Sequence, residues 1–186
     1  ASPARLRDAI APDGARASFR ETADAVTVTA GKLDLRFSKR TGRLAGIVRD
    51  GQPVSLTNGP RLVAFRRDDR QADGAIEAKV PKGVDRKYSD VATPGTLKNL
   101  RAHDEGPNVV VDATFTPVDG TAGGSLRDAR WVISPDGDVR LDYDYSFGGV
   151  VDAIGVAFDY PEANMRSIRW LRAMRSTVRT MTFSSL

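Results

Sequence analysis

From Ala25 onward the chain alternates between apolar and polar positions. Val26, Val28 and Ala30 interleave with Thr27 and Thr29, then Leu33, Leu35 and Phe37 interleave with Asp34, Arg36 and Ser38. A period of two puts every second side chain on one face of an extended strand, and β-branched residues suit that conformation. Gly31-Lys32 separates the two runs as a tight turn. Lys39-Arg40-Thr41-Gly42 is a second turn, a strand follows over residues 44–48, and Asp50-Gly51 is a hairpin dipeptide that leads to a short strand at Val54-Ser55-Leu56. Asn58-Gly59-Pro60 predicts a break before another strand over residues 62–65. Strands spaced about every eight to twelve residues are the cadence of a sandwich or barrel.

Residues 66–90 lose the alternation and predict a long surface excursion. Strands return at residues 96–102, at Asn108–Thr116, at residues 129–134, at Val139–Phe147 and at Ala153–Asp159. Their connectors are rich in Gly, Pro and Asp, and Pro135-Asp136-Gly137-Asp138 marks the clearest hairpin. In the strand after it, Leu141, Tyr143 and Tyr145 take one face and Arg140, Asp142 and Asp144 the other. No stretch before residue 160 keeps a helical period. The predicted fold is an all-β antiparallel sandwich over residues 25–171. Residues 1–24 read as a linker or entry segment and residues 172–186 as a divergent basic tail, in which Met174, Val178 and Met181 continue a helical stripe from Trp170.

Composition narrows the function classes. With 186 residues, 40% hydrophobic and 28% charged, the chain can bury a real core, and no apolar run approaches a membrane span. Arg172, Arg175 and Arg179, with no acid among residues 172–186, account for three of the net charge of +4. The body is therefore nearly neutral and lacks the basic stripe of a nucleic-acid binder. The absence of Cys excludes disulfides, thiol catalysis and Cys-based zinc sites. Neither that absence nor the Ala-Ser-Pro-Ala start distinguishes a bacterial-type cytoplasm from a periplasm.

Several turn words, in order, carry a resemblance. Phe37-Ser38-Lys39-Arg40-Thr41-Gly42-Arg43-Leu44 is followed by Asp50-Gly51, by Gly59-Pro60-Arg61-Leu62 and by Arg66-Arg67-Asp68-Asp69. Later come Ile133-Ser134-Pro135-Asp136-Gly137-Asp138-Val139 and Ile154-Gly155-Val156-Ala157-Phe158-Asp159-Tyr160-Pro161, leading to Trp170. From Val26 to Leu171 this series resembles the C-terminal sandwich of β-galactosidases and related glycoside hydrolase family 2 enzymes, a supersandwich of the galactose mutarotase type. After Trp170 the family continues with Gly-x-Gly-Pro and further strands. Here Arg172-Ala173-Met174-Arg175 follows Leu171 instead. That departure predicts a truncated or frame-shifted end, or a rewritten one, with open sheet edges that favour self-association unless the tail covers them.

The resemblance implies an accessory, carbohydrate-associated domain that is not catalytic alone. Glycoside hydrolysis needs a pair of carboxyl groups about the scissile bond, and in the resembled family a separate barrel domain supplies them. Its implied partners are that barrel and a carbohydrate, with no nucleic acid, membrane, metal or cofactor. Asp68-Asp69, beside Arg66, lies on the loop that faces the sugar cleft in the family. With Trp170 these residues form the predicted carbohydrate-contacting set: Arg66, Asp68, Asp69 and Trp170. A charged turn of weak ion pairs is the plainer reading of the acids. Asp142 and Asp144 share a strand face as a paired-carboxylate candidate, though period two assigns them to the solvated side. Trp131, in step with Ile133, reads as core. His103, the only histidine, reads as an exposed loop residue. Two other functions remain open: a freestanding carbohydrate-binding module, and a mutarotase-like epimerase using His103.

Overall fold

Tight turns set the first pairings. Gly31 takes φ 57°, and Asp50 and Gly51 take φ 51° and 76°, the two positive values that a type I′ hairpin requires. The computed structural model describes residues 16–69, 87–116, 124–161, 163, 169–171 and 180–182. Across these residues the strands are β1 (Ser18–Glu21), β2 (Ala25–Ala30), β3 (Leu33–Ser38), β4 (Leu44–Arg49), β5 (Gln52–Val54), β6 (Thr57–Arg67) and β7 (Tyr88–Asp90). They continue with β8 (Thr96–Glu105), β9 (Asn108–Thr116), β10 (Gly124–Ile133), β11 (Val139–Phe147), β12 (Ala153–Asp159), β13 (Arg169–Leu171) and β14 (Thr180–Thr182).

The fold is an all-β sandwich of two antiparallel sheets. The larger runs β1-β2-β3-β4-β6-β12, with β5 on β4 and β7 on β6, and the smaller runs β11-β10-β9-β8. The chain lays down the larger sheet first, builds the smaller one as a meander, and returns with β12 to pair with β6. Between the sheets, Val26, Val28, Leu35, Phe37 and Leu44 pack with Val109, Val111, Trp131 and Ile133. Toward β12 a second cluster joins Leu62 to Ala113, Phe115, Leu126 and Ala129. Trp131 lies in the first cluster at 5% exposure, its ring edge-on to Phe37 at 5.4 Å and to Phe158 at 5.9 Å.

The strands depart from the expected bounds where pairing overrides local signals. β6 runs straight through Asn58-Gly59-Pro60. Its contact with β4 at this point is the single pair Leu44↔Gly59, so the proline nitrogen interrupts no continuous ladder. β5 starts directly after the Asp50-Gly51 turn, because the two-residue loop sets Gln52 opposite Arg49. β10 begins at Gly124, earlier than the alternation suggests, since a bulge between Leu126 and Asp128 breaks its period. β1 falls within the stretch read as an entry segment, and β7 within the surface excursion. Both are short and form by pairing, β1 with β2 and β7 with β6. In the tail, β13 pairs with β14 so that Trp170 lies opposite Met181. The helical stripe is thereby corrected at both of its ends: this is a strand pair.

The hairpin between β10 and β11 closes as its sequence predicts. Gly137 takes φ 88°, and the Ser134 N–H donates to the Asp138 carbonyl at 3.0 Å. The Ser134 hydroxyl also donates to the Asp136 carboxylate, and this bond holds the Asp136 carboxyl below its ordinary range. A carboxyl with a depressed folded pKa stabilises the fold above its unfolded pKa and loses that contribution as pH falls through the folded value. Ser134→Ala is therefore expected to raise the Asp136 pKa. A carboxyl-detected NMR titration of both proteins would reveal it, and coincident Asp136 curves would contradict the assignment.

Candidate functional site

Three of the sequence words meet at one end of the sandwich. Arg43, in the turn before β4, donates from Nη1 to Asn58 Oδ1 at 3.2 Å. Asn58 Nδ2 donates in turn to Asp159 Oδ2 at 2.7 Å, at the end of β12. Arg61, on β6, donates from Nε to the Asn58 carbonyl at 2.9 Å and pairs through Nη2 with Asp159 Oδ1. Asn58 has φ 51°, a left-handed conformation that asparagine tolerates better than most residues. Gly59 follows it because a Cβ there would collide with the Phe158 ring.

The network welds β4, β6 and β12 and leaves a carboxylate fixed at both oxygens. Burial, and then the nearby Arg61 charge, draw the Arg43 guanidinium below its ordinary value, while Asp159 acts in the opposite sense. Asp159 remains half exposed. It also lines a shallow open depression of about 440 Å³, together with Ser55, Thr57, Phe158, Tyr160 and Pro161. A fixed carboxylate accepts hydrogen bonds from hydroxyl groups, Ser55 and Thr57 can donate or accept, and aromatic rings offer apolar faces. The arrangement is suited to holding a polyhydroxylated ligand. Sequence reasoning quoted Arg43, Arg61 and Asp159 as fold words only. Asn58-Gly59-Pro60 reads in sequence as a break; the structure instead uses the left-handed tolerance of Asn58 to hold its side chain between Arg43 and Asp159.

Of the predicted contact residues, Arg66, Asp68 and Asp69 lie at or just beyond the end of β6 that follows Phe65. Asn58 and Asp68 are ten residues apart along and just beyond β6, which at about 3.3 Å per residue puts Asp68 roughly 30 Å from the depression. Arg66 pairs with Ser89 in the β6–β7 ladder, and Asp68 accepts from the Ser89 hydroxyl at 2.7 Å. Asp69 pairs with Arg67, both side chains being largely buried, and the Arg67 N–H donates to Asp152 Oδ2 at 3.0 Å. Asp68 thus ties the end of β6 to β7, and Asp152 ties it to the segment before β12. Trp170 lies on β13, and its side chain is outside the described residues.

His103 is not a loop residue. The β8 strand extends through Glu105, and His103 projects from the outer face of the smaller sheet at 31% side-chain exposure. Its Nδ1 is 3.7 Å from Asp112 Oδ2, and Asp112 is also bound by Arg130, which reaches Glu105 as well. Asp142 belongs to the same outer face, paired with Arg140 at 2.9 Å, and Asp144 lies opposite Asp128. On this half-exposed face Glu105, Asp112 and Asp142 are each paired with an arginine. Among the described residues no group of three His, Cys, Asp or Glu side chains is placed to hold a metal. No protein-family model matches the chain, and no curated protein matches it either.

Proposed function

We propose that this chain is the accessory, carbohydrate-associated sandwich of a β-galactosidase-like glycoside hydrolase, with the depression at Asp159 bordering the sugar. The observation that carries the reading is the meeting of Thr41-Gly42-Arg43-Leu44, Gly59-Pro60-Arg61 and Phe158-Asp159-Tyr160-Pro161 around one fixed carboxylate. These are words of the resemblance, and separate segments of the chain bring them together. The sandwich architecture agrees with the resemblance as well. On this reading the acid and nucleophile belong to a barrel domain, and the chain alone hydrolyses no galactoside.

The flanking gene sequence is the first test. A barrel-coding region upstream, with a Gly-x-Gly-Pro continuation in any frame after codon 171, is the expected finding. A start and a stop closely bracketing these 186 codons would overturn the accessory role. Phe158, Tyr160 and the two hydroxyl residues of the depression favour a second reading, a module that binds sugar by itself. NMR titration of the chain with β-galactosides separates the two. Millimolar binding that shifts the amides of residues 55–61 and 157–160, and that weakens about tenfold in Asp159→Asn, supports the module. Unperturbed spectra at saturating sugar leave the site needing its barrel.

A further inference from the structure

Arg43 and Arg61 converge on Asn58. Nη1 of Arg43 donates to the Asn58 side-chain oxygen at 3.2 Å, and Nε of Arg61 donates to the Asn58 carbonyl at 2.9 Å. One carboxylate, that of Asp159, stands against the two guanidiniums. Among the described residues no other acid pairs with either arginine. Two cations against one anion leave the cluster with one positive charge in excess. Arg61 answers the charge of Asp159, so the surplus is that of Arg43. Elsewhere on the sandwich Arg67 is matched by Asp69, and Arg130 by Asp112 and Glu105.

Arg43 is half buried, and among the described residues its side chain is bonded only to a neutral amide oxygen. Burial and the Arg61 charge both work against its charged form. An arginine stays charged regardless, so such a position calls for a counter-ion. A guanidinium also has more N–H donors than these bonds use. The unspent part of each fork suits the paired oxygens of a carboxylate or a sulfate. The position adjoins the depression, because Asn58 directly follows Thr57 and bonds Asp159, and both of those residues line it.

We infer that the depression takes an acidic sugar, whose oxyanion substituent, a carboxylate or a sulfate ester, sits against Arg43 and Arg61. This rests on the reading of the depression as a sugar site and adds the charge of the sugar. Asp159, held by Arg61 and Asn58, remains half exposed to accept from ring hydroxyls, so the two kinds of contact address different groups of one ligand. A neutral sugar would leave the surplus charge of Arg43 unanswered.

NMR titrations of the full chain with galactose, galacturonate, galactose 6-sulfate and sodium sulfate, all at one ionic strength, test the inference. At least one acidic sugar is expected to bind about tenfold tighter than galactose or more, shifting the Arg43 Nε–H signal. Arg43→Gln is expected to bring the ratio of acidic to neutral affinity towards one, and Asp159→Asn, which removes the negative charge, to raise it. Circular dichroism checks the fold of both variants, and the comparison of sugars on the unmodified chain does not depend on them. Equal affinity for galactose and both acidic sugars would overturn the acidic class and leave a neutral-sugar site. Sodium sulfate binding as tightly as the acidic sugars would make this a free-anion site and overturn the sugar part. A preference that survives Arg43→Gln in a folded variant would overturn the role of the arginine pair. No binding of any of the three sugars would overturn the inference for this chain, while the accessory reading would still be decided by the flanking gene.

Discussion

Trp131→Ala is expected to cost the fold about 3–5 kcal/mol, the range for emptying a large aromatic from a packed core. The indole lies between the sheets at 5% exposure, edge-on to Phe37 from β3 and to Phe158 from β12. Its removal therefore opens a void that neither sheet can fill without moving the other. Domains are stable by only about 5–15 kcal/mol, so a loss of this size leaves a marginal protein. Trp131→Phe is expected to cost less, about 1–2 kcal/mol, because it keeps most of the aromatic contact. Among the described residues the buried indole Nε1 has no hydrogen-bond partner to lose. Urea denaturation of the three proteins measures both values. A Trp131→Ala cost under about 1 kcal/mol would mean that the ring is not a core element.

Gly42→Ala is expected to destabilise by roughly 2–4 kcal/mol, from two causes acting at one atom. Gly42 has φ 69°, a conformation that a side chain strains. A Cβ there would also stand 2.5 Å from Leu97 Cδ1 and 3.2 Å from Phe115 Cζ, across the sandwich. Gly51→Ala separates the causes. Its φ is 76°, but nothing lies within 4 Å of its Cβ position, so only the conformational part of the cost, about 1 kcal/mol, should appear. Equal losses at both positions would show that the packing of the Gly42 turn against β8 and β9 carries no weight.

Much of the sandwich was legible because its signals are local. The strands Asn108–Thr116, Val139–Phe147 and Ala153–Asp159 have the bounds that alternation predicts. Gly31, Asp50-Gly51 and Gly137 all adopt the positive φ values that their turn positions require. The elements that escaped notice are those with no local signature. β1 and β7 have too few residues to display a period, and the bulge in β10 shifts its phase. The helical reading of the tail rested on four apolar residues without a cap, and spacing alone is weak against pairing such as that of Trp170 with Met181.

The candidate site was less legible than the fold. Asp68 and Asp69 stand out in sequence because charge is dense there; in the structure Asp68 ties the end of β6 to β7 and Asp69 pairs with Arg67. The set at the depression is assembled from separate strands: Asn58 and Asp159 touch at 2.7 Å across 101 residues of chain.

By itself the sequence determined the all-β class, the hairpins, the inward placing of Trp131 and the outward placing of Asp142 and Asp144. Each follows from the two-residue period of an extended backbone or from the φ preference of a single turn residue, properties that neighbours in the chain share. Only the tertiary structure decided the assignment of strands to sheets and the return of β12 to β6. It also decided the carriage of His103 on a strand and the joining of Arg43, Asn58, Arg61 and Asp159. Those outcomes depend on burying two apolar faces against each other over long sequence separations, and no window along the chain contains both sides of such a contact.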